Sequence, residues 1–271
     1  MTRGRLRIGT SGWQYRDWRG PVYPRDLPTK SWFAHYATLF DTVELNSTFY
    51  RMPAPETFDA WARQAPPGFL YALKLGAFGS HRMKLRDAAT WLPNHVERAR
   101  RLGPHLGPTL VQLPPRWRAN PERLDEFLTA APRALRWAVE LRDETWVRDD
   151  VFAVLRRHRA ALCLHDLLPR QPRILTTDWT YLRFHGPDAV ERKYHGRYGG
   201  RRLWRIADEI AHWLDAGHDV YAYFNNDFHG DAVRDATWLR DRVARAATVS
   251  RAGRPGIPKK RLGSDSGRST T

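Results

Sequence analysis

The sequence has 271 residues, of which 42% are hydrophobic and 27% are charged, proportions typical of a globular rather than a disordered protein. No apolar run approaches the roughly 20 residues of a membrane helix, and the N-terminal residues lack the apolar stretch of a signal peptide. The single cysteine, Cys163, excludes an intramolecular disulfide and a multi-cysteine zinc site. We therefore expect a cytoplasmic protein without membrane contact.

The formal net charge of +16 comes mainly from arginine, since 39 of the 45 basic residues are arginines and six are lysines. The basic residues are spread along the chain, apart from residues 250–271, which hold six of them and one aspartate. No helix-turn-helix, zinc-finger or RNA-binding fingerprint accompanies them. The charge therefore predicts only non-specific contact with nucleic-acid phosphates. The composition also predicts a domain over residues 1–249, followed by a basic disordered tail.

Eight short apolar segments recur along the chain, and each has the β-branched, aromatic or leucine side chains typical of strands. They cover residues 6–12, 42–48, 70–76, 109–113, 136–142, 161–166, 181–186 and 220–226. Apolar residues at helical spacing lie between most of them, at residues 28–40, 56–64, 88–102, 121–131, 149–158, 201–216 and 231–246. Asn120 and Pro121 are a predicted N-cap and first helical residue.

This alternation of strands and helices predicts a parallel sheet. Eight strands in about 250 residues are the count and length of a single α/β domain, a (β/α)₈ barrel of the TIM type. The sixth and seventh predicted strands start only 20 residues apart, and Pro169 and Pro172 lie between them. We therefore expect one crossover helix to be missing there.

Side chains alternate within the predicted strands, as where Val43 and Leu45 flank Glu44. Because the apolar face must pack on the helices, the polar face points into the barrel. Barrels of this type build their active sites from polar residues at the C-terminal ends of the strands. We therefore expect a ligand pocket there. Its predicted lining residues are Glu44, Asn46, Lys74, Gln112, Glu140, Arg142, His165, Asp166, Arg183, His185, Tyr223 and Asn225. The aromatic residues next to the first two strand ends, Trp13 and Tyr50, are predicted ligand contacts.

Several motifs resemble the DUF72 family, also called the YecE-like or UPF0759 family. They are IGTSGW at residues 8–13, FDTVELNSTFYR at 40–51, VQLPP at 111–115, AVELR at 138–142, LRFHG at 182–186 and YFNND at 223–227. The resemblance spans about residues 6–246. It implies a TIM-type barrel with its site at the C-terminal face, and it supplies no reaction. The last motif contains Asn226, which we add to the predicted ligand-binding residues.

Glu44 and Glu140 lie on the second and fifth predicted strands, nearly across the barrel. A barrel radius of roughly 7–8 Å puts their carboxyl groups roughly 6–7 Å apart, a spacing that permits paired acid/base work. A carboxylate in a narrow, partly dry pocket can titrate near neutrality, so these two are the expected proton-transfer groups. Lys74 and His185 complete the predicted catalytic set.

Other interpretations of the same residues stay open. Histidines and carboxylates from different strands suit a divalent metal, but the cations Lys74, Arg142 and Arg183 would repel one. Those cations favour an anionic ligand, a phosphate or a carboxylate. Lys74 is expected to pair with Glu44 or Glu140, with a Schiff-base lysine as the alternative. All of these charges together would also make a self-paired structural network.

The sequence thus predicts a protein that acts on a small anionic or hydroxyl-rich ligand at the C-terminal barrel face by carboxylate acid/base chemistry. The alternative is a non-catalytic binding protein, associated with nucleic acid through its basic surface. Whether the protein is an enzyme is left open. The sequence assigns no cofactor, metal or oligomeric state.

Overall fold

The computed structural model describes residues 2–168 and 170–252, and within them eight parallel strands alternate with helices. The strands are β1 (Leu6–Thr10), β2 (Thr42–Leu45), β3 (Leu70–Lys74), β4 (Leu106–Gln112), β5 (Trp137–Glu140), β6 (Ala161–His165), β7 (Trp179–Phe184) and β8 (Asp219–Phe224). The helices are α1 (Trp32–Leu39), α2 (Ser47–Tyr50), α3 (Pro55–Gln64), α4 (Ala88–Arg100), α5 (Pro121–Ala130), α6 (Asp149–Arg157), α7 (Gly199–Asp215) and α8 (Asp231–Ala252). The strand order β1-β8-β7-β6-β5-β4-β3-β2 confirms the predicted (β/α)₈ barrel.

The first and second strands meet at the seam of the barrel, where a tyrosine joins them. The Tyr36 hydroxyl accepts a hydrogen bond from the backbone N–H of Thr10 and donates one to the carbonyl of Thr42, both at 3.0 Å. Gly9 permits this close approach, because a Cβ atom there would lie 2.2 Å from the Thr42 carbonyl oxygen. The barrel is therefore nearly closed.

The connection between β6 and β7 contains no helix among its described residues, as the short gap predicts. Side chains of this segment bond to the backbone of β6 instead. Gln171 accepts from the N–H of His165 and donates to the carbonyl of Cys163, and Thr176 accepts from the N–H of Leu162. The predicted cap of α5 is also confirmed, since the Asn120 side chain accepts from the N–H of Arg123.

Two predicted boundaries differ from the structure. The second strand was expected to reach residue 48, but β2 ends at Leu45 and the chain turns into α2. The Thr48 hydroxyl lies 3.0 Å from the carbonyl oxygen of Leu45, a local bond that competes with strand pairing. At the other end, α8 extends to Ala252, beyond the predicted domain end at 249. The predicted disordered tail falls mostly on residues 253–271, which lie outside the described residues.

Small and aromatic side chains fill the middle of the barrel interior, among them Ala72, Leu110, Ala138, Cys163 and Tyr181. The opposite strand faces, including Val43 and Leu45, belong to the larger core shared with the helices. The lower end of the candidate site is therefore closed by packed side chains. None of the described helices is both long and apolar enough to span a membrane.

Candidate functional site

Arg183, on β7, bonds both predicted catalytic glutamates at the C-terminal end of the barrel. Its Nη2 donates to Glu44 Oε1 at 2.8 Å, and its Nη1 donates to Glu140 Oε2 at 2.7 Å. All three side chains are almost completely buried. The two carboxylates converge from opposite sides of the barrel, but a guanidinium occupies the space between them.

Both glutamates have further donors that hold them ionised. Glu44 also accepts from the hydroxyls of Ser11 and Tyr181, each at 2.7 Å, and Glu140 accepts from Nη1 of Arg142 at 2.9 Å. Burial alone would raise the pKa of both carboxyls, but nearby positive charge, chiefly that of Arg183, outweighs it and lowers them, Glu140 well below its usual range. The lowered pKa values contradict the expected titration near neutrality, and they leave the proton-transfer role of the two glutamates as a prediction.

His185 and Asp166, predicted as catalytic and ligand-binding residues, are bonded to each other. The Nδ1 atom of His185 lies 2.9 Å from Asp166 Oδ1, and its Nε2 atom lies 3.1 Å from Nη1 of Arg183. Because arginine can only donate, Nε2 is the acceptor and the proton lies on Nδ1. Its Nε2 accepts a hydrogen bond and so carries no proton, which makes the ring neutral, and burial lowers its pKa in the same sense. With both nitrogens engaged and the ring buried, His185 orients Arg183 and has no free nitrogen for the predicted catalytic role.

His165 is likewise a fully bonded neutral imidazole. Its Nε2 atom lies 2.7 Å from the carbonyl oxygen of Leu141, and its Nδ1 atom accepts from the N–H of Leu167 at 3.1 Å. Burial lowers its pKa to about 4. Across the described part of the chain, no three histidine, cysteine or acidic residues form a group that could hold a metal ion. The histidines and acids considered for a metal are instead used in hydrogen bonds.

Asp227 is the residue of this network that sequence reasoning missed. The Asn225 amide lies between it and the centre, and in the orientation that satisfies both neighbours its oxygen accepts from Nη2 of Arg183 at 3.2 Å and its nitrogen donates to Asp227 Oδ2 at 3.3 Å. Asp227 Oδ1 is buried without a partner among the described residues. Burial raises the pKa of Asp227 to about 8, and the charge of Glu44 adds to that rise. The YFNND motif contains Asp227, but it follows the end of β8, where strand alternation gives no guidance.

We expect Asp227→Asn to stabilise the protein at pH 8 and to have little effect at pH 4. An aspartate with a raised pKa keeps its proton in the folded state between about pH 4 and pH 8, while the unfolded chain releases it. Wild-type stability therefore falls over that range, and the amide removes this contribution. Urea unfolding of both proteins at pH 4 and pH 8 measures the difference. A variant that is less stable at pH 8 would show that Asp227 is ionised in the folded protein.

Lys74 differs from the other charged residues of the site, because within the described residues it pairs with no carboxylate. The expected salt bridge to Glu44 or Glu140 is absent there, since both are already bonded to arginines. Its Nζ atom lies 4.1 Å from the centroid of the Phe49 ring. Burial, and then the charge of Arg183, lowers the pKa of Lys74 to about 8, although the negative charges of Glu140 and Glu44 act in the opposite direction.

Four other predicted residues surround the mouth of the barrel with polar groups that are free or only partly bonded. The Gln112 amide makes no hydrogen bond to a described residue, and Arg142 uses only Nη1, on Glu140. Asn46 Oδ1 is buried without a partner there. Tyr50 is 83% exposed and its side chain is free to contact a ligand.

Three predicted ligand contacts lie away from this mouth. Trp13 is buried and packs edge-on against α1. The Tyr223 hydroxyl lies 2.8 Å from Thr42 Oγ1, deeper in the barrel. Asn226 is fully buried after the end of β8, and its amide donates to Asp235 of α8 at 2.9 Å. Trp13 and Asn226 lie apart from Arg183, whereas Tyr223 lies beside Arg183 on the neighbouring strand with its hydroxyl bonded to Thr42 instead.

Sequence reasoning also missed His81, which lies in a π-helical turn, Phe78–Arg82. Its ring meets the edge of Phe49, with 4.9 Å between ring centroids. Burial lowers its pKa, and the charges of Lys74 and Arg142 lower it further. Turns of this kind are frequent at functional sites, but the sequence carries no periodicity that predicts one.

The comparison with known families agrees with the resemblance seen in the motifs. The family described as "Protein of unknown function DUF72" matches residues 7–261. This chain belongs to the DUF72 family. The UPF0759 protein YecE of Escherichia coli (strain K12) is 32% identical over 110 residues, or 40% of each protein. The chain thus matches less than half the length of YecE. The UPF0759 protein YunF of Bacillus subtilis (strain 168) is 23% identical over 83% of this chain and 90% of YunF.

Solved structures of DUF72 proteins share the fold. A DUF72 family protein from Thermotoga maritima has a TM-score of 0.72 and 26% identity, covering 89% of this chain and 99% of its own. One from Enterococcus faecalis has a TM-score of 0.72 at 18% identity, covering 88% of this chain and 95% of its own. The latter likeness concerns the barrel alone. The family match reaches residue 261, further than the motifs at residues 6–246 indicate.

Proposed function

We propose that the C-terminal barrel face binds a small anionic ligand, whose carboxylate or phosphate lies between Lys74 and Arg142. The observation that carries this proposal is the buried ammonium of Lys74, which has no carboxylate partner within the described residues. A buried charge is costly unless it is paired. An anion from outside the protein would supply the missing partner, and Arg142 has guanidinium nitrogens left to bind it.

We further propose that the protein is an enzyme in which Lys74 transfers the proton. With a pKa of about 8 in the ligand-free site, Lys74 is an ammonium that can donate a proton to the bound ligand and recover one from solvent after the ligand leaves, whereas the two glutamates stay ionised. The glutamates instead hold Arg183 in place beneath the ligand. Gln112 and Tyr50 are available for hydroxyl groups of the ligand. The acid/base chemistry of the sequence-based hypothesis is thus retained, but the proposed proton-transfer group is the lysine and not a carboxylate.

The direct experiment is anion binding as a function of pH. Calorimetric titration with inorganic phosphate, and separately with acetate, is expected to show binding that weakens above about pH 8 as Lys74 loses its proton. Lys30→Met, at an exposed lysine, is the matched control and should leave the profile unchanged. Mass spectrometry of ligands retained on natively purified protein would identify the physiological anion. Binding that is indifferent to Lys74→Met would contradict the proposal.

A second candidate function, binding of nucleic-acid phosphates, is favoured by the opposite end of the barrel. Two adjoining cavities of about 430 Å³ and 380 Å³ lie at the N-terminal strand ends and share Arg136. Their basic lining residues are Arg5, Arg7, Arg133, Arg136, Arg157 and Arg159. Asp178 and Asp219 are the acidic ones. Backbone phosphates suit such an arginine-rich face without any reading of sequence.

If this face binds nucleic acid, affinity for a duplex of any sequence should fall at least about tenfold between about 50 and 200 mM salt. Arg133→Glu should weaken it further, whereas Lys74→Met at the other end of the barrel should not. Fluorescence anisotropy with a labelled duplex measures both. Salt-independent binding, or equal affinity for wild type and Arg133→Glu, would exclude this interpretation.

A further inference from the structure

A cavity of about 260 Å³ lies beside the mouth of the barrel, among α2, the π-helical turn and α4. Its walls are mainly apolar and include Phe49, Tyr50, Leu75, Phe78, Trp91 and His95. The rings of Tyr50 and Phe78 are more than half exposed at this cavity. A dry apolar cavity of about 150 Å³ is enough to hold a benzene ring, so this one has room for an aromatic group.

Phe49 connects the cavity to the proposed anion site. Its ring forms part of the cavity wall, and Lys74 Nζ lies 4.1 Å from the centroid of the same ring. The backbone of Gly76, two residues after Lys74, also lines the cavity. A ligand whose anionic group meets Lys74 therefore has this apolar space within reach of its next few atoms.

One polar atom in the cavity wall lacks a partner. His95 is 3% exposed, and its Nδ1 atom has no hydrogen bond within the described residues. Its Nε2 atom lies 3.4 Å from Thr109 Oγ1, and burial lowers the pKa of the ring to about 4, so it is neutral. His95 therefore contributes a neutral ring to the cavity wall, while its unbonded Nδ1 atom is itself buried.

We propose that this cavity is the specificity pocket of the same site, and that the ligand is an aryl-bearing anion. This inference rests on the proposed function, because the anionic group is held by Lys74 and Arg142 while the ring enters the cavity. The Phe49 ring then contacts the ammonium and the ligand together.

Two pairs of probes test the pocket, each with the same anionic group with and without a ring. Phenyl phosphate is compared with methyl phosphate, and 3-phenylpropanoate with propanoate, by calorimetry. Burying the ring is expected to make the aryl member of at least one pair bind at least about tenfold more tightly. The absolute affinities of methyl phosphate and propanoate, which lack the ring, distinguish a phosphate ligand from a carboxylate ligand.

Variants separate the pocket from the anion site. Ala77→Leu places a larger side chain in the cavity wall and should lower the aryl-to-alkyl affinity ratio at least about fivefold. Asn94→Leu, on an exposed position of α4 that also lines the cavity, is a second filling variant should the first fail to fold. Lys74→Met should weaken both members of a pair and keep their ratio.

The outcomes are distinct. Equal affinities within both pairs, or a ratio that neither filling variant lowers, would overturn the aryl pocket while leaving the anion site intact. Affinities that Lys74→Met does not change would overturn the proposed function itself.

Discussion

Lys74→Met is expected to weaken anion binding about 10- to 100-fold and, at pH 7, to raise the free energy of unfolding by up to about 3 kcal/mol. The first effect follows from the loss of a charged hydrogen-bond donor. The second follows because folding buries an ammonium that pairs with no carboxylate among the described residues, and methionine fills similar space against Phe49 without a charge. If Lys74 instead stabilised the fold, Lys74→Met would lower the free energy of unfolding.

The pH dependence of the free energy of unfolding independently tests whether Lys74→Met stabilises the protein. The pKa of Lys74 is about 8 when folded, below its ordinary value, so between about pH 8 and pH 10.4 the unfolded chain holds a proton that the folded protein has released. Wild-type stability, measured relative to Lys74→Met, must therefore rise as the pH rises through that range. Urea unfolding at pH 7 and pH 10 measures the difference, and buried tyrosines cancel in the comparison. A variant that is less stable than wild type at both pH values would contradict the assignment.

Arg183→Met is expected to lower the free energy of unfolding by about 3–5 kcal/mol, because it leaves two buried carboxylates without their shared cation. Neutralising those carboxylates with Glu44→Gln and Glu140→Gln in the same chain should recover part of the loss. Unfolding in urea, with the double glutamine variant as reference, measures this coupling. Equal losses in the single and triple variants would mean that Arg183 contributes only its packing.

Lys74→Met is expected to stabilise the protein and Arg183→Met to destabilise it. This difference divides the site into structural residues and a ligand-binding lysine. Glu44, Glu140, Arg142 and Arg183 match part of the self-paired structural network that the sequence left open as an alternative. Lys74 does not belong to it. Within the described residues, the polar end of the barrel therefore consists of an ion network and one nearby cation, Lys74, with which it forms no salt bridge.

The local alternation of each strand was enough to predict which side chains enter the barrel. Glu44 and Arg183 lie on different strands, yet each alternates with apolar neighbours that can only face the helices. The lack of a helix in the described connection before β7 could also be predicted from local sequence, because the short gap leaves no room for one. Which charges pair was not predictable, because it depends on side-chain reach across the barrel. The position of Lys74 relative to the glutamates is an example.

The residues that were missed or misplaced lie where strand periodicity stops. Asp227 and Asn226 follow β8, and His81 lies in a π-helical turn, so no alternation indicates which way they point. The raised pKa of Asp227 comes from burial, which depends on the loops that cover it. A motif match names such residues without saying what surrounds them.

The most direct test of the unpaired lysine is its own titration, followed by NMR of protein labelled with ¹³C at the lysine Cε. The chain has only six lysines, and Lys74→Met assigns the signal. We predict one lysine with a pKa of about 8, which rises when saturating phosphate or a carboxylate is added because the bound anion stabilises the ammonium. If all six lysines titrate near pH 10.4, or if the shifted one responds to neither anion, Lys74 is not an anion-binding group.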